Sequence, residues 1–206
     1  MLSRDARWVA AAIQGIIAWE WLVSGINKVL SGTFPQGLAD TLRDGAHDNP
    51  NGWYVALLQG IVLPHSVAFG YAIEAAEIFI GIALFIGAVV LIGPLHRRGM
   101  SQYRLAVGEV TAATAAAVLC GFLCVNFHFF MGDGLIPWFD PARAFDEGIS
   151  LDTLMAPFAA LVFVVNVFAL SEMTGFALTD RLRVLARRAR LLVGAGGASS
   201  NVAESA

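Results

Sequence analysis

VAFGYAIEAAEIFIGIALFIGAVVLIG, the stretch from Val67 to Gly93, holds only two charged side chains, Glu74 and Glu77. An α-helix rises about 1.5 Å per residue, so about 20 apolar residues cross the roughly 30 Å hydrocarbon core of a bilayer. Strand-like alternation is absent, and in lipid only helices or closed barrels satisfy their own backbone groups. The stretch reads as a membrane-spanning helix with two acids on one face.

Three more stretches have the same character: Trp8–Leu30, Leu105–Met131 and Thr153–Phe176. Composition agrees, since the 206 residues are 57% hydrophobic and 14% charged, where a soluble domain carries about 25% charged residues. The mean hydropathy is +0.68. The predicted fold class is all-α: an integral membrane four-helix bundle with short interfacial helices. Residues 1–178 form the four-span membrane domain. Residues 179–206 form a cationic amphipathic helix, with Leu182, Leu185, Ala189 and Leu192 as its apolar stripe, followed by a disordered tail.

Ten arginines fall before the first span, between the second and third, and after the fourth, against two in the other loops. The positive-inside rule then places both termini in the cytoplasm of a multi-pass protein of the cell (inner) membrane. The first span has a basic start but is too long for a cleaved leader and contains Glu20, so it reads as a retained anchor. The arginines imply contact with anionic lipid and no nucleic-acid surface. Outside, Trp53 to Val62 reads as a short interfacial helix, and Pro137-Trp138-Phe139 as a second aromatic cluster. Both fit a lid over the bundle or plain interfacial anchors.

Charges inside a span are costly and need partners, so they point to a shared polar site. On the first span Glu20, Ser24, Asn27 and Lys28 fall within an arc of about 100°. On the second, Glu74 and Glu77 are three residues apart and share a face. On the third, Cys120, Cys124 and His128 follow at intervals of four, with Asn126 and Phe127 between the last two. A carboxylate–lysine or carboxylate–histidine pair among these groups would move protons. A structural ion pair, or Lys28 snorkelling to the surface, are the plainer readings.

Other chemistries fit less well. Cysteines four apart on a helix are badly placed for a disulfide and are not a redox Cys-x-x-Cys pair. His65 and His128 both lie near the outer surface, but a bis-histidine haem needs two matched buried imidazoles, and His65 follows Pro64 at a helix start. Glu77, His128 and Cys124 are zinc-ligand types without a recognisable spacing. No bound metal or cofactor is expected.

Trp21-Leu-Val-Ser24-Gly25-Ile-Asn27-Lys28 resembles the segment at the end of the first span of DoxX-like membrane proteins, and Glu77-Ile-Phe-Ile-Gly81 resembles their second-span segment. Asn126-Phe127-His128-Phe129-Phe130-Met131-Gly132 is similar to a segment of the DoxD-type subunit of thiosulfate:quinone oxidoreductase. Order and spacing agree over Trp8 to Phe176. The resemblance implies a membrane subunit that helps oxidise a sulfur compound and reduces quinone as substrate, alongside a possible second oxidoreductase subunit. It carries over to Gly25, Lys28, Glu77, Gly81, Asn126 and Phe127.

The expected catalytic groups are therefore Glu77, Lys28, Glu74 and His128, the last on bottom-up grounds alone. The expected quinone-binding groups are Glu20, Asn27, Asn126, Cys124 and Phe127. Two other classes stay open, a non-catalytic scaffold for redox partners and a small proton-coupled transporter. Self-association is also left open.

Overall fold

The computed structural model describes residues 3–93, 100–132 and 151–175, and every regular element among them is helical. The first helix, α1 (Arg4–Ser31), starts where the Ser3 hydroxyl accepts from the Ala6 amide at 3.1 Å. It stops at Gly32, whose φ of 66° is left-handed, a conformation that suits glycine because no Cβ is present to clash.

After it comes α2 (Phe34–His47), with Pro35 in the first turn, where the missing amide hydrogen is not needed. Its Leu38 and Leu42 are buried. Its apolar stripe is narrow and surrounded by polar residues, so hydrophobic periodicity alone marks it only weakly as a helix.

The expected interfacial helix is shorter than Trp53 to Val62. Helix α3 (Gly52–Leu57) gives way to a π-helical turn at Leu58–Val62 and a 3₁₀ turn at Leu63–His65. Pro64 has no amide hydrogen to keep the α-helical ladder running, and the chain re-forms it in α4 (Ser66–Ile92). Helices α5 (Met100–Phe130) and α6 (Leu151–Thr174) complete the order.

Four segments are long and apolar enough to cross a membrane: Arg4–Ser31, Gly52–Ile92, Ser101–Phe130 and Thr153–Thr174. The chain is thus an all-α bundle of membrane-spanning type. The second loop's aromatic cluster and the whole C-terminal amphipathic segment lie outside the described residues.

Helices α1, α4, α5 and α6 pack in that order, α1 also touches α6, and α2 lies across the end of α4. Small residues permit the α1–α4 contact. A Cβ on Gly25 would sit 2.9 Å from Ile78 Cγ1, and one on Gly81 would run into the Leu22 side chain. Without a hydrophobic drive between helices in lipid, such close backbone approach supplies much of the packing energy. Exposed Ile16, Trp19, Leu105 and Phe122 form the outer, lipid-type surface.

Candidate functional site

Lys28 lies in the last turn of α1, where a cation meets the negative end of the helix dipole. Its ammonium turns inward. Nζ donates to both carboxylate oxygens of Glu77 at 2.8 Å, and to Ser24 Oγ at 2.7 Å. Those bonds use the donor capacity of an ammonium, and the Phe34 ring lies 5.2 Å away, within cation–π range. Glu77 is 1% exposed and Lys28 23%. Gly25 sets this geometry, since its missing side chain lets α1 approach α4 at Glu77 and Ile78.

The pair forms part of the wall of a cavity of about 580 Å³. Trp21 from α1, Phe34 from α2, Tyr54 from α3 and Phe127 and Phe130 from α5 give it aromatic sides. Trp21 and Phe127 stack with centroids 6.4 Å apart. Tyr54 donates its hydroxyl to the Asn126 carbonyl at 2.9 Å, pinning α3 to α5. Asn49 donates to the carbonyls of Phe129 and Phe130 at 2.8 and 3.0 Å, so the α2–α3 connection caps the end of α5. Exposed residues line the cavity on two sides, Glu20, Phe122, Met131 and Leu151 on one and Thr41, Leu57, Ile61 and Phe69 on the other, so it is open to the surroundings at both.

Six of the nine residues singled out from the sequence line this cavity: Glu20, Lys28, Glu77, Cys124, Asn126 and Phe127. Three do not. Asn27 is exposed on α1 away from the lining. Glu74 is buried one turn before Glu77 and contributes nothing to the wall. His128 faces α6, where its Nδ1 meets Thr153 Oγ1 at 2.6 Å. The two sides of α5 explain this: Cys124 and Phe127 point to the cavity, and the next position turns about 100° away.

Cys120 and Cys124 are both buried thiols outside any disulfide. Among the described residues no three His, Cys, Asp or Glu side chains gather as a metal site. The zinc grouping of Glu77, His128 and Cys124 is not assembled, because His128 is committed to the α5–α6 contact. The α3 wall, with Tyr54, falls in the short helix expected from Trp53 to Val62, whereas the α2 wall, with Phe34 and Leu38, has no counterpart in the sequence expectations. The pairing of Leu38 with Leu42 at four residues was the available signal.

The class these features define is a helical bundle of membrane-spanning type with an ion pair set in the wall of an aromatic cavity. No protein-family model, curated protein or solved structure matches the chain.

Proposed function

We propose that the chain is the quinone-reactive membrane subunit of a sulfur-compound (thiosulfate-type):quinone oxidoreductase. The observation that carries the reading is the Lys28–Glu77 pair in the wall of the aromatic cavity. A quinone is a flat ring with two carbonyl oxygens on an apolar tail. Such a ligand needs stacking surfaces, a hydrogen-bond donor at the carbonyl and an opening toward lipid. Trp21, Phe34 and Phe127 offer the surfaces, Lys28 a donor once it exchanges its bond to Ser24 Oγ for the carbonyl, and the exposed rim at Glu20 and Phe122 an opening. The resemblance to DoxX-like proteins at Gly25, Lys28, Glu77, Gly81, Asn126 and Phe127 supports the sulfur-compound half.

The reaction balances as follows. Two thiosulfates join through a new S–S bond and release two electrons. Quinone takes those two electrons and two protons to become quinol. Thiosulfate brings no protons, so both come from water through groups of the protein. Glu77 and Lys28 are placed to pass them to the carbonyl oxygens, and the second subunit is where the sulfur compound is oxidised. In this reading the protein sits in the cell membrane with both termini cytoplasmic and the cavity in the outer half.

The test is titration of a short-chain quinone into the purified protein, followed by tryptophan quenching, with thiosulfate-dependent quinone reduction measured in membranes. Saturable quenching that weakens at least tenfold in Lys28→Met supports the reading. Absence of saturable binding to the wild-type chain refutes it.

A further inference from the structure

Four side chains among the described residues bury nitrogen or oxygen atoms for which the protein supplies no hydrogen-bond partner: Arg7, Gln14 and Trp21 on α1, and Asn166 on α6. Arg7, Gln14, Trp21 and Lys28 are spaced by seven. They form one column on the inner face of α1, each about 10 Å from the next. The column starts at the N-terminal end of the bundle and ends at the ion pair.

Gln14 and Asn166 are both 0% exposed. Gln14 Nε2 donates to the Leu84 carbonyl at 2.8 Å, which leaves Oε1 without a partner. A Cβ on Gly87 would sit 2.5 Å from both Gln14 Nε2 and Ala113 Cβ, so the amide crosses to α4 over a glycine, at the level of Ala113. Asn166 arrives at the same level from α6. The α5–α6 register is marked by Tyr103 with Met173, Gly121 with Ala159, and His128 with Thr153. Interpolating between those pairs sets Asn166 opposite residues 112–113. Both atoms of its amide lack partners.

Two amides thus enter one layer of an otherwise apolar interior with three unpaired atoms between them. Such groups are retained in proteins when ordered water satisfies them, and water both donates and accepts. A separate cleft of about 280 Å³ between α1 and α6, lined by apolar side chains that include Ile13, Val162 and Val165, does not reach either amide, so the water would be enclosed with them. Toward the cavity the next polar group is the Trp21 indole, which lies beside the Cys120 thiol, itself next to Cys124 in the cavity wall.

We propose that Gln14 and Asn166 form a buried water-binding site, the inner station of a proton route from the N-terminal end of the bundle to Lys28 and Glu77. The proton role rests on the quinone reading above, because quinol formation consumes protons that the sulfur donor does not bring. The water site itself does not.

Two measurements on the full chain test it. The first is millisecond hydroxyl-radical labelling in nanodiscs, which modifies side chains next to bound water. Leu84 and Val110, 1% and 0% exposed, are expected to label in the wild type and to lose at least four-fifths of that labelling in Gln14→Leu/Asn166→Leu. Unlabelled Leu84 and Val110 in the wild type mean a dry layer, with the amides paired to each other, and overturn the proposal.

The second is quinone reduction by the same double variant, expected to show kcat lowered about tenfold, a larger solvent isotope effect and an unchanged KM. Tryptophan-monitored melting confirms that the variant is folded. Unchanged kcat and isotope effect beside a labelled layer remove the proton route. If the wild type neither binds nor reduces quinone, the functional reading falls, and the labelling still decides the water site.

Discussion

Lys28 and Glu77 carry two separable consequences. Lys28→Met leaves a carboxylate 1% exposed without its counter-ion, and breaking one side of a buried pair typically costs about 3–5 kcal/mol. Because Lys28 is partly exposed, the lower end of that range is the expected loss, read as unfolding free energy in mild detergent. Lys28→Met/Glu77→Leu removes both charges and is expected to recover most of the loss, since two apolar groups need no desolvation. Quinone binding stays lost in both variants. Recovered binding in the double variant would show that the pair serves structure alone.

A second titratable pair lies outside the spans. His47 Nδ1 is 3.0 Å from Asp48 Oδ2, and that hydrogen bond, with the charge of Asp48, raises the imidazole above its ordinary 6.5. A raised value means the contribution is complete below 6.5 and is lost as pH climbs through the folded value. Both side chains are exposed, so the expected signature is an upward-shifted His47 titration by NMR that Asp48→Asn abolishes. An unshifted His47 in the wild type would refute the pairing.

The helices show why some of this was legible and some was not. Spans are set by length and apolarity, which are local, so α1, α4, α5 and α6 fall within a few residues of their expected limits; α5 starts earliest, because Ser101, Gln102 and Arg104 are polar but form helix readily. Glu77 and Lys28 were legible as charges in apolar runs. Their pairing needed the antiparallel contact that Gly25 and Gly81 allow. His128 shares a heptad-like stripe with Cys124, but a stripe gives spacing and not direction, and Thr153 on α6 takes the imidazole. Gln14 and Asn166 are polar intruders in apolar spans, as Glu20 is, but without charge they mark a buried site less sharply.

The close α1–α4 contact makes its own prediction. In Gly81→Ala the new Cβ meets the Leu22 side chain and, at 2.9 Å, the Leu22 backbone nitrogen, which cannot swing aside. Overpacking of this kind costs about 1–3 kcal/mol. The expected result is a lower melting temperature together with weaker quinone quenching, since any separation of α1 from α4 stretches Lys28 from Glu77. Gly15→Ala, whose Cβ meets nothing within 4 Å, is the control and should be neutral or slightly stabilising. Equal effects of the two substitutions would contradict the packing argument.

On the scale of the whole molecule, charge and cavity are arranged along one axis. Arg4, Arg7 and Arg104 mark the end where α1 and α5 begin, while Asp40, Asp44 and Asp48 lie on α2 and just after it at the opposite end. Positive residues are retained on the cytoplasmic side during insertion; in the orientation proposed on that ground the α2–α3 cap and the cavity face outward, with the Gln14–Asn166 layer between the cavity and the cytoplasm. That arrangement would draw quinol protons through the bundle from within.

A single cysteine introduced at Asn51, in the turn before α3, or at Ser101, at the start of α5, decides the orientation when Cys120 and Cys124 are replaced by alanine. In intact cells a membrane-impermeant maleimide is expected to label residue 51 readily and residue 101 only after lysis. The reverse pattern would put the ion pair on the cytoplasmic side. The proton route would then run inward from the outside, with the same residues and the opposite sign of charge movement during turnover.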